Sequence, residues 1–315
     1  MSTVPAGIAV AAGGESRFFL VAGEPSRYNF ACRGIVRGVG VRFFCPGARH
    51  GKTFFMRVRA MYTPIAVMAD IHGNTLALEA VFRDMRELGI SQAYNLGDIL
   101  YGPLDPAGTC RLLADAELAL VHIRGNGDRM VLETGKDVSS TVRYTRGQLC
   151  AAQREWLQDL PPFVCDDTLF ACHGTPRSDT EYLVECLVPE GVRQRTDEDV
   201  AALLAPFTQG LVLCGHSHVP HALRLADGRF VVNPGSVGLP AYADSDPVPH
   251  AMEAGTPHAR YAVLFLREGQ WQAQFRRVCY DHESAAAMAL ENGRPDWAAS
   301  LRSGRAGSEW LLRQP

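Results

Sequence analysis

Ile65-Ala66-Val67-Met68-Ala69-Asp70-Ile71-His72-Gly73-Asn74 decides how this 315-residue chain folds. Five apolar residues in a row, with branched Ile65 and Val67, predict a short buried strand of a mostly parallel sheet. The strand is expected to stop on Asp70 and His72, before a helix that begins near Thr75. A carboxylate and an imidazole two residues apart on extended backbone face the same way. They also lie at the carboxyl end of a strand, where α/β sheets bind ligands. That makes Asp70 and His72 a candidate metal-ligand pair, although Asp-x-His alone recurs by chance.

Outward from this strand the chain alternates. A helix is predicted over 76–88, with Leu76, Ala80, Val81, Met85 and Leu88 on one stripe, Asn74 as N-cap and Gly89 just past the end. Strands are predicted over 93–96, ending at Gly97-Asp98, and over 118–123, ending at Gly125-Asn126-Gly127-Asp128, with a helix over 106–114 between them. This alternation argues for an α/β fold with parallel βαβ units. A helix over 148–160 stops at Pro161-Pro162, and strands 163–165 and 168–172 form a hairpin leading into His173. A helix over 197–204 precedes a buried strand, 211–214, that ends at Gly215-His216-Ser217-His218. Strands 223–225 and 229–232 flank Ala226-Asp227-Gly228, a hairpin turn, and Asn233-Pro234-Gly235-Ser236 makes a tight loop. Residues 239–258 are expected to be an irregular loop over a site. Antiparallel strands 261–266 and 271–278 then precede a helical tail, near 283–290 and again after Asp296.

Residues 1–60 lack this order; they are rich in Gly, Arg and Phe, without sustained period. Met61 lies four residues before the first convincing strand, so the domain is expected to span 61–315. On that reading 1–60 is an N-terminal extension, poorly ordered or not part of the native product; an arm that packs on the domain or binds a partner is the alternative. A net charge of -3 supplies no basic field to steer nucleic acid toward the chain, so affinity for phosphate would need local charge such as bound metal. Nine cysteines without a Cys-x-x-Cys pair favour reduced thiols and a cytoplasmic setting over a disulfide framework. No apolar run approaches the roughly 18 residues of a membrane span, and no basic residue precedes Arg17, so neither a membrane segment nor a signal peptide is expected.

Five predicted strand ends carry metal-binding side chains: Asp70 and His72, Asp98, Asn126, His173, and His216 with His218. Singly they have ordinary explanations. Asp98 fits a helix cap, Asn126 between two glycines fits a turn, and His173 fits a satisfied loop histidine. Repetition of the same placement argues for a metal centre. Mixed oxygen and nitrogen ligands suit divalent transition ions, Mn first and Fe, Zn, Ni or Co next, better than Ca. A carboxylate such as Asp98 can bridge two ions, and two ions can clamp the attacking and leaving oxygens of a phosphoryl group while acidifying a water between them. An amide such as Asn126 can ligate an ion and donate a hydrogen bond to a phosphate oxygen.

Asp70-x-His72, Gly97-Asp98, Gly125-Asn126-x-Asp128, His173 and Gly215-His216-x-His218 together resemble, in order, the motif set of the calcineurin-like metallophosphoesterases, over about residues 63–240. The resemblance implies a four-layer α/β/β/α sandwich and two divalent metal ions. It implies that Asp70, His72 and His218 hold one ion, that Asn126, His173 and His216 hold the other, and that Asp98 bridges. Asn126 and Asp128 are the implied catalytic residues, Asp128 by orienting its neighbours. Many members carry histidine after the motif Asn, where it contacts phosphate or helps protonate the leaving group; here that position is Gly127. With the Asn233–Ser236 loop, this resembles the small bacterial and archaeal branch related to the YfcE phosphodiesterases.

The implied activity is in-line hydrolysis of phosphodiesters or activated phosphoesters. Action on alkyl monoesters should be weak, because Gly127 brings no proton to an alkoxide. The implied partner is a small phosphoester; oligomeric state is left open. Arg124 and Tyr101 are the candidates for substrate contact, while Tyr242, His250 and His258 sit in segments able to overhang the ions. Within enzymes, the alternatives are a protein phosphatase or a dinucleoside polyphosphate hydrolase, against which the missing histidine counts. Outside them is a non-catalytic metal-binding scaffold, for which the family-like retromer subunit is the precedent; a scaffold would be expected to lose ligands. His122, Cys172, Cys214, Trp271 and Trp297 are expected to be structural.

Overall fold

The computed structural model describes residues 64–135 and 138–307, so the N-terminal extension over 1–60 and the proposed start at Met61 lie outside the described residues. β1 (Ile65–Met68), β2 (Gln92–Asn95) and β3 (Ala119–His122) run parallel, with Ala66 level with Ala93 and Ala93 level with Leu120. The late strand β13 (Ala259–Arg267) pairs antiparallel with β1, setting Ala262 opposite Val67, and β14 (Gln270–Val278) pairs with β13. The first sheet therefore reads β14-β13-β1-β2-β3. In the second sheet β5 (Leu169–Cys172), β8 (Leu211–Leu213) and β10 (Phe230–Asn233) are parallel, flanked antiparallel by β4 (Phe163–Cys165) and β9 (His221–Arg224), in the order β4-β5-β8-β10-β9.

Strand alternation separates the layers. Val67, Leu211, Leu213, Val232 and Leu264 meet in one core between the sheets. Ala66 and Met68, one position off, face the outer core with Leu78, Val81 and Met85 of α1 (Thr75–Glu87), Leu113 of α2 (Pro106–Ala114) and Leu157 of α5 (Ala151–Asp159). On the far side, Val212 and Val231 pack with Val200 of α6 (Asp197–Leu203). The result is the expected four-layer α/β/β/α sandwich. Burying each large aliphatic side chain contributes roughly 1.5–3 kcal/mol, so the inter-sheet core holds the strands in one register and their C-terminal loops at one edge.

Local signals act as anticipated at α1: the Asn74 side chain accepts from Ala77 N at 3.1 Å, and Gly89 follows the helix at φ 67°. Elsewhere the structure corrects the expectations. The helix expected over 148–160 is α5, which begins three residues late because Leu149 and Cys150 are extended, and these two residues separate it from an unanticipated helix, α4 (Ser140–Gln148). The segment 239–258 is not irregular: β11 (Ala241–Asp244) and β12 (His250–Glu253) form an antiparallel hairpin. The short helix α3 (Asn126–Leu132) and the hairpin of β6 (Glu185–Val188) and β7 (Gly191–Gln194) were not anticipated by periodicity. The tail forms α7 (His282–Glu291) and α8 (Pro295–Ser303). The seven described cysteines are free thiols, and among the described residues no helix is long and apolar enough to cross a membrane.

Candidate metal centre

Strand alternation was expected to bring Asp70 and His72 to one side, but β1 ends at Met68 and a turn brings them together instead. Both sit in the left-handed region, at φ 56° and 53°, as do Asp98 at 51°, His216 at 69° and His218 at 61°. Among the described residues the other non-glycine residue there is Glu268, in a hairpin turn. Each such residue costs on the order of 1–3 kcal/mol and persists only where its surroundings over-determine it. Here they do. Asp70 N, His72 N and Gly73 N donate to the carbonyls of Gly97, Asp98 and Ile99, each at 2.9 Å. From the other side Ser236 Oγ and Gly238 N donate to the Asp70 carbonyl at 2.8 and 2.9 Å.

Asp128 fixes the neighbouring loop. Its fully buried carboxylate accepts from the backbone N–H groups of Ile99, Leu100 and Gly125 at 3.0 to 3.2 Å. Burial and the charge of Asp98 push its pKa up to about 7, against the pull of these three donors. Every hydrogen bond to it comes from backbone, so it ties the Asp98 turn to the start of α3.

The ligand candidates meet in two overlapping groups, Asp70 with His72 and His218, and Asp70 with Asp98 and His173. Asp98 lies between the groups, with Oδ2 3.8 Å from His72 Nε2 and Oδ1 3.6 Å from His173 Nε2. Gly127 N donates to Asp98 Oδ1 at 2.7 Å. The Asn126 amide is 2.9 Å from His173 Nε2. His216 stands beside these groups, its ring centroid 5.1 Å from that of His173 and its backbone N–H on Asp70 Oδ2 at 3.2 Å.

Backbone carbonyls orient all four imidazoles. His72 Nδ1 donates to Tyr101 O at 2.7 Å, His218 Nδ1 to Leu239 O at 2.6 Å and His173 Nδ1 to Leu96 O at 2.7 Å. His216 does so through Nε2, to Thr180 O at 3.0 Å. A carbonyl only accepts, so the opposite nitrogen of each neutral ring keeps its lone pair. Burial, then the neighbouring imidazole, depresses His72 and His216 to about 4, which keeps both neutral. Burial also opposes charge on His173, but the carboxylates of Asp98 and Asp70 outweigh it and raise that ring. Burial would raise Asp70, yet the imidazoles of His218, His173 and His72 bring it down to about 2.

These residues fit a cation. His72 Nε2 and His218 Nε2 face each other at 3.0 Å, two lone pairs with no proton to share. Asp70 Oδ1, 3.5 Å from His218 Nε2, is buried without a hydrogen-bond partner. A buried carboxylate oxygen and two imidazole lone pairs aimed at one another lack only positive charge, and their chemistry suits a divalent transition ion.

Other candidates are placed less centrally. Arg124 donates to the Gln158 carbonyl at 3.2 Å, and Arg129 pairs with Asp179 at 2.7 Å and with Glu133. The Tyr101 ring packs edge-on to His72, centroids 6.0 Å apart. Tyr242 lies 4.6 Å from the His218 ring and joins a hydrogen-bonded run, with Tyr182 Oη 2.5 Å from Tyr242 Oη and 2.8 Å from His250 Nε2. Tyr182 also flanks His216, at 4.8 Å between ring centroids; no local pattern around Asp179-Thr180-Glu181-Tyr182 marks it. Cys172 and Cys214 are buried thiols whose pKa burial pushes up.

His122 stays on β3, partly buried, its ring centroid 5.5 Å from that of Trp156. Burial lowers its pKa from 6.5 to about 4. The unfolded chain then holds that proton more tightly, so the contribution of His122 to stability is present above about pH 6.5 and is lost as pH falls toward 4. His122→Gln is expected to make the drop in stability between pH 7 and pH 5 smaller by about 1–2 kcal/mol, read from urea unfolding at both values. An unchanged drop would clear His122 of that role.

The family model described as the calcineurin-like phosphoesterase superfamily domain matches residues 64–251. An uncharacterized protein of Methanocaldococcus jannaschii is 27% identical over 260 residues, covering 74% of this chain and 94% of its own length. The crystal structure of a metallophosphoesterase from Sphaerobacter thermophilus is similar at 26% identity and a TM-score of 0.60, covering 76% of this chain and 99% of that one. A hypothetical protein from Pyrococcus horikoshii shares the fold at 23% identity and a TM-score of 0.60, covering 78% and 99%. The matched span runs from the residue before β1 into β12 and contains every one of the seven candidate ligands, so the chain belongs to the calcineurin-like phosphoesterase superfamily.

Proposed function

We propose that the protein is a dinuclear metal-dependent phosphodiesterase, acting on small phosphodiesters or activated phosphoesters. One observation carries the reading: Asp98 is within reach of imidazoles from both halves of the cluster, at 3.8 Å from His72 and 3.6 Å from His173, as a bridging carboxylate must be. Asp70, His72 and His218 would hold one ion, Asn126, His173 and His216 the other. Mn is the favoured metal, with Fe, Zn, Ni or Co as competitors. When bound, such ions polarise the phosphoryl oxygens and supply an acidified water as nucleophile. The chain's own share is orientation: four carbonyls aim the imidazoles, Gly127 N–H holds Asp98, and Asn126 offers an amide N–H to a phosphate oxygen. Asp128 acts through backbone, keeping the Asp98 turn and Asn126 in register. Assay with Mn on a bis-aryl phosphodiester and an alkyl monophosphate tests the reading; a strong preference for the monoester would refute it.

The missing motif histidine has a steric counterpart. A Cβ on Gly127 would lie 2.7 Å from both Cβ and Cγ of Tyr101. Tyr101 therefore fills the volume into which a side chain at 127 would leave the backbone. Gly127→His alone is expected to displace Tyr101 and lower stability by about 1–3 kcal/mol, the usual range for overpacking. Combined with Tyr101→Ala, it should recover stability and raise the ratio of monoester to diester turnover. Thermal unfolding and the two substrates above read both effects; a single Gly127→His as stable as wild type would show that Tyr101 does not block the position.

A further inference from the structure

The tail formed by α7 and α8 packs on one half of the proposed metal centre. Its buried Ala285, Ala289, Trp297 and Leu301 share a core with Leu104 and Leu239. Leu239 is the residue whose carbonyl orients His218, and Leu104 closes the short loop begun by Tyr101, whose carbonyl orients His72. Trp297 itself reaches the ligand, its ring centroid 5.5 Å from that of His72 with the planes at 82°. Its position is held in turn by Arg294, whose guanidinium lies 5.4 Å from the indole centroid.

Polar ties point the same way. Asn292 Nδ2 donates to the Pro103 carbonyl at 2.7 Å, Asn74 Nδ2 to Tyr280 Oη at 3.3 Å, and Gly255 N to the Gly304 carbonyl at 2.8 Å. Among the described residues, a ring contact from 280–307 reaches His72 and no hydrogen bond or ring contact from it reaches Asn126, His173 or His216; Asn292 and Arg294 also tie it to Tyr144 and Thr141 of α4. A hydrogen bond at Nδ1 fixes a ligating imidazole along one axis and leaves it free to rock about that axis. An indole packed nearly perpendicular to the ring removes that freedom.

We propose that the C-terminal helical pair is a positioning element for the ion held by Asp70, His72 and His218, with Trp297 setting the tilt of His72. The proposal rests on the dinuclear reading above. It assigns the tail a selective effect: loosening it weakens one ion and spares the other.

The test is titration of metal-free, full-length protein with Mn, followed by calorimetry and by metal content after dialysis. Wild type should take up two ions. Trp297→Ala should keep one at unchanged affinity and bind the second about 10–100-fold more weakly, the range for lost supporting contacts around metal ligands. Trp297→Phe, which keeps an aromatic edge, should restore most of the difference. Asn292→Ala, which frees the tail at Pro103 without opening a cavity, should weaken the same single ion and serves if Trp297→Ala does not fold. Two ions bound as in wild type by Trp297→Ala, or by Asn292→Ala where it must stand in, would overturn the proposal. So would equal weakening of both ions in a folded variant. A wild-type chain that binds no Mn would instead overturn the metal-centre reading itself.

Discussion

Asp98→Asn is expected to lower kcat/KM for a phosphodiester by about three orders of magnitude, with the fold intact. Asparagine has nearly the same shape, and its amide oxygen can still accept from Gly127 N–H, now 2.7 Å from Asp98 Oδ1. What disappears is the negative charge between His72 and His173, with one of the two oxygens that face them. An amide offers one neutral oxygen and cannot bridge two cations. A loss of about 4 kcal/mol in transition-state stabilisation, comparable to removing a preorganised electrostatic group elsewhere, corresponds to roughly a thousandfold. Stability should move the opposite way in the metal-free protein. Asp98 faces Asp70 in one ligand group and raises the pKa of buried Asp128, so neutralising it relieves like-charge repulsion. The metal-free variant should therefore unfold at a urea concentration no lower than metal-free wild type. Activity within tenfold of wild type at saturating Mn would rule out Asp98 as the bridge.

Much of this arrangement could be read from the chain because two local rules coincide. Apolar runs such as 65–69 and 211–214 declare buried strands, and the residues just past them are the candidate ligands. Caps were equally readable: Asn74 opens α1 through its side-chain oxygen, and Gly89 follows its end through its freedom to take positive φ. The means of convergence was not. Asp70, His72, Asp98, His216 and His218 adopt left-handed backbone because loops from distant parts of the chain hold them there, and the modest left-handed preference of Asp and His is too weak to announce it. α3 was hidden because Gly125-Asn126-Gly127-Asp128 has the composition of a turn, while Gly125 in fact serves as the N-cap. α4 was hidden because its buried positions, Thr141, Val142 and Thr145, do not make an apolar stripe. Trp297 was readable as a packing residue, but its partner His72 lies at the other end of the domain, and only tertiary structure brings the two rings together.

Gly238→Ala is expected to destabilise the protein by about 3 kcal/mol or more, at the upper end for overpacking. The added Cβ would lie 1.7 Å from the Ile71 carbonyl oxygen and 2.9 Å from Asn74 Cβ. The first obstacle is backbone, so no rotamer change relieves it. The segment it would push away is the turn that carries Asp70 and His72, and Gly238 is also bonded to that turn at both ends: its N–H donates to Asp70 O, and its carbonyl accepts from Asn74 Nδ2, each at 2.9 Å. Moving the turn by enough to admit a methyl group would break these bonds and rotate His72 away from His218. Weaker Mn binding should therefore accompany the lost stability. Gly147→Ala, on α4, provides the contrast. Nothing lies within 4 Å of a Cβ there, and replacing a helical glycine should stabilise by about 0.5–1 kcal/mol. Urea midpoints at constant slope compare the two. If Gly238→Ala matched wild type in both midpoint and Mn affinity, the turn could shift at no cost, and the close approach of the two loops could not be what holds the left-handed residues in place.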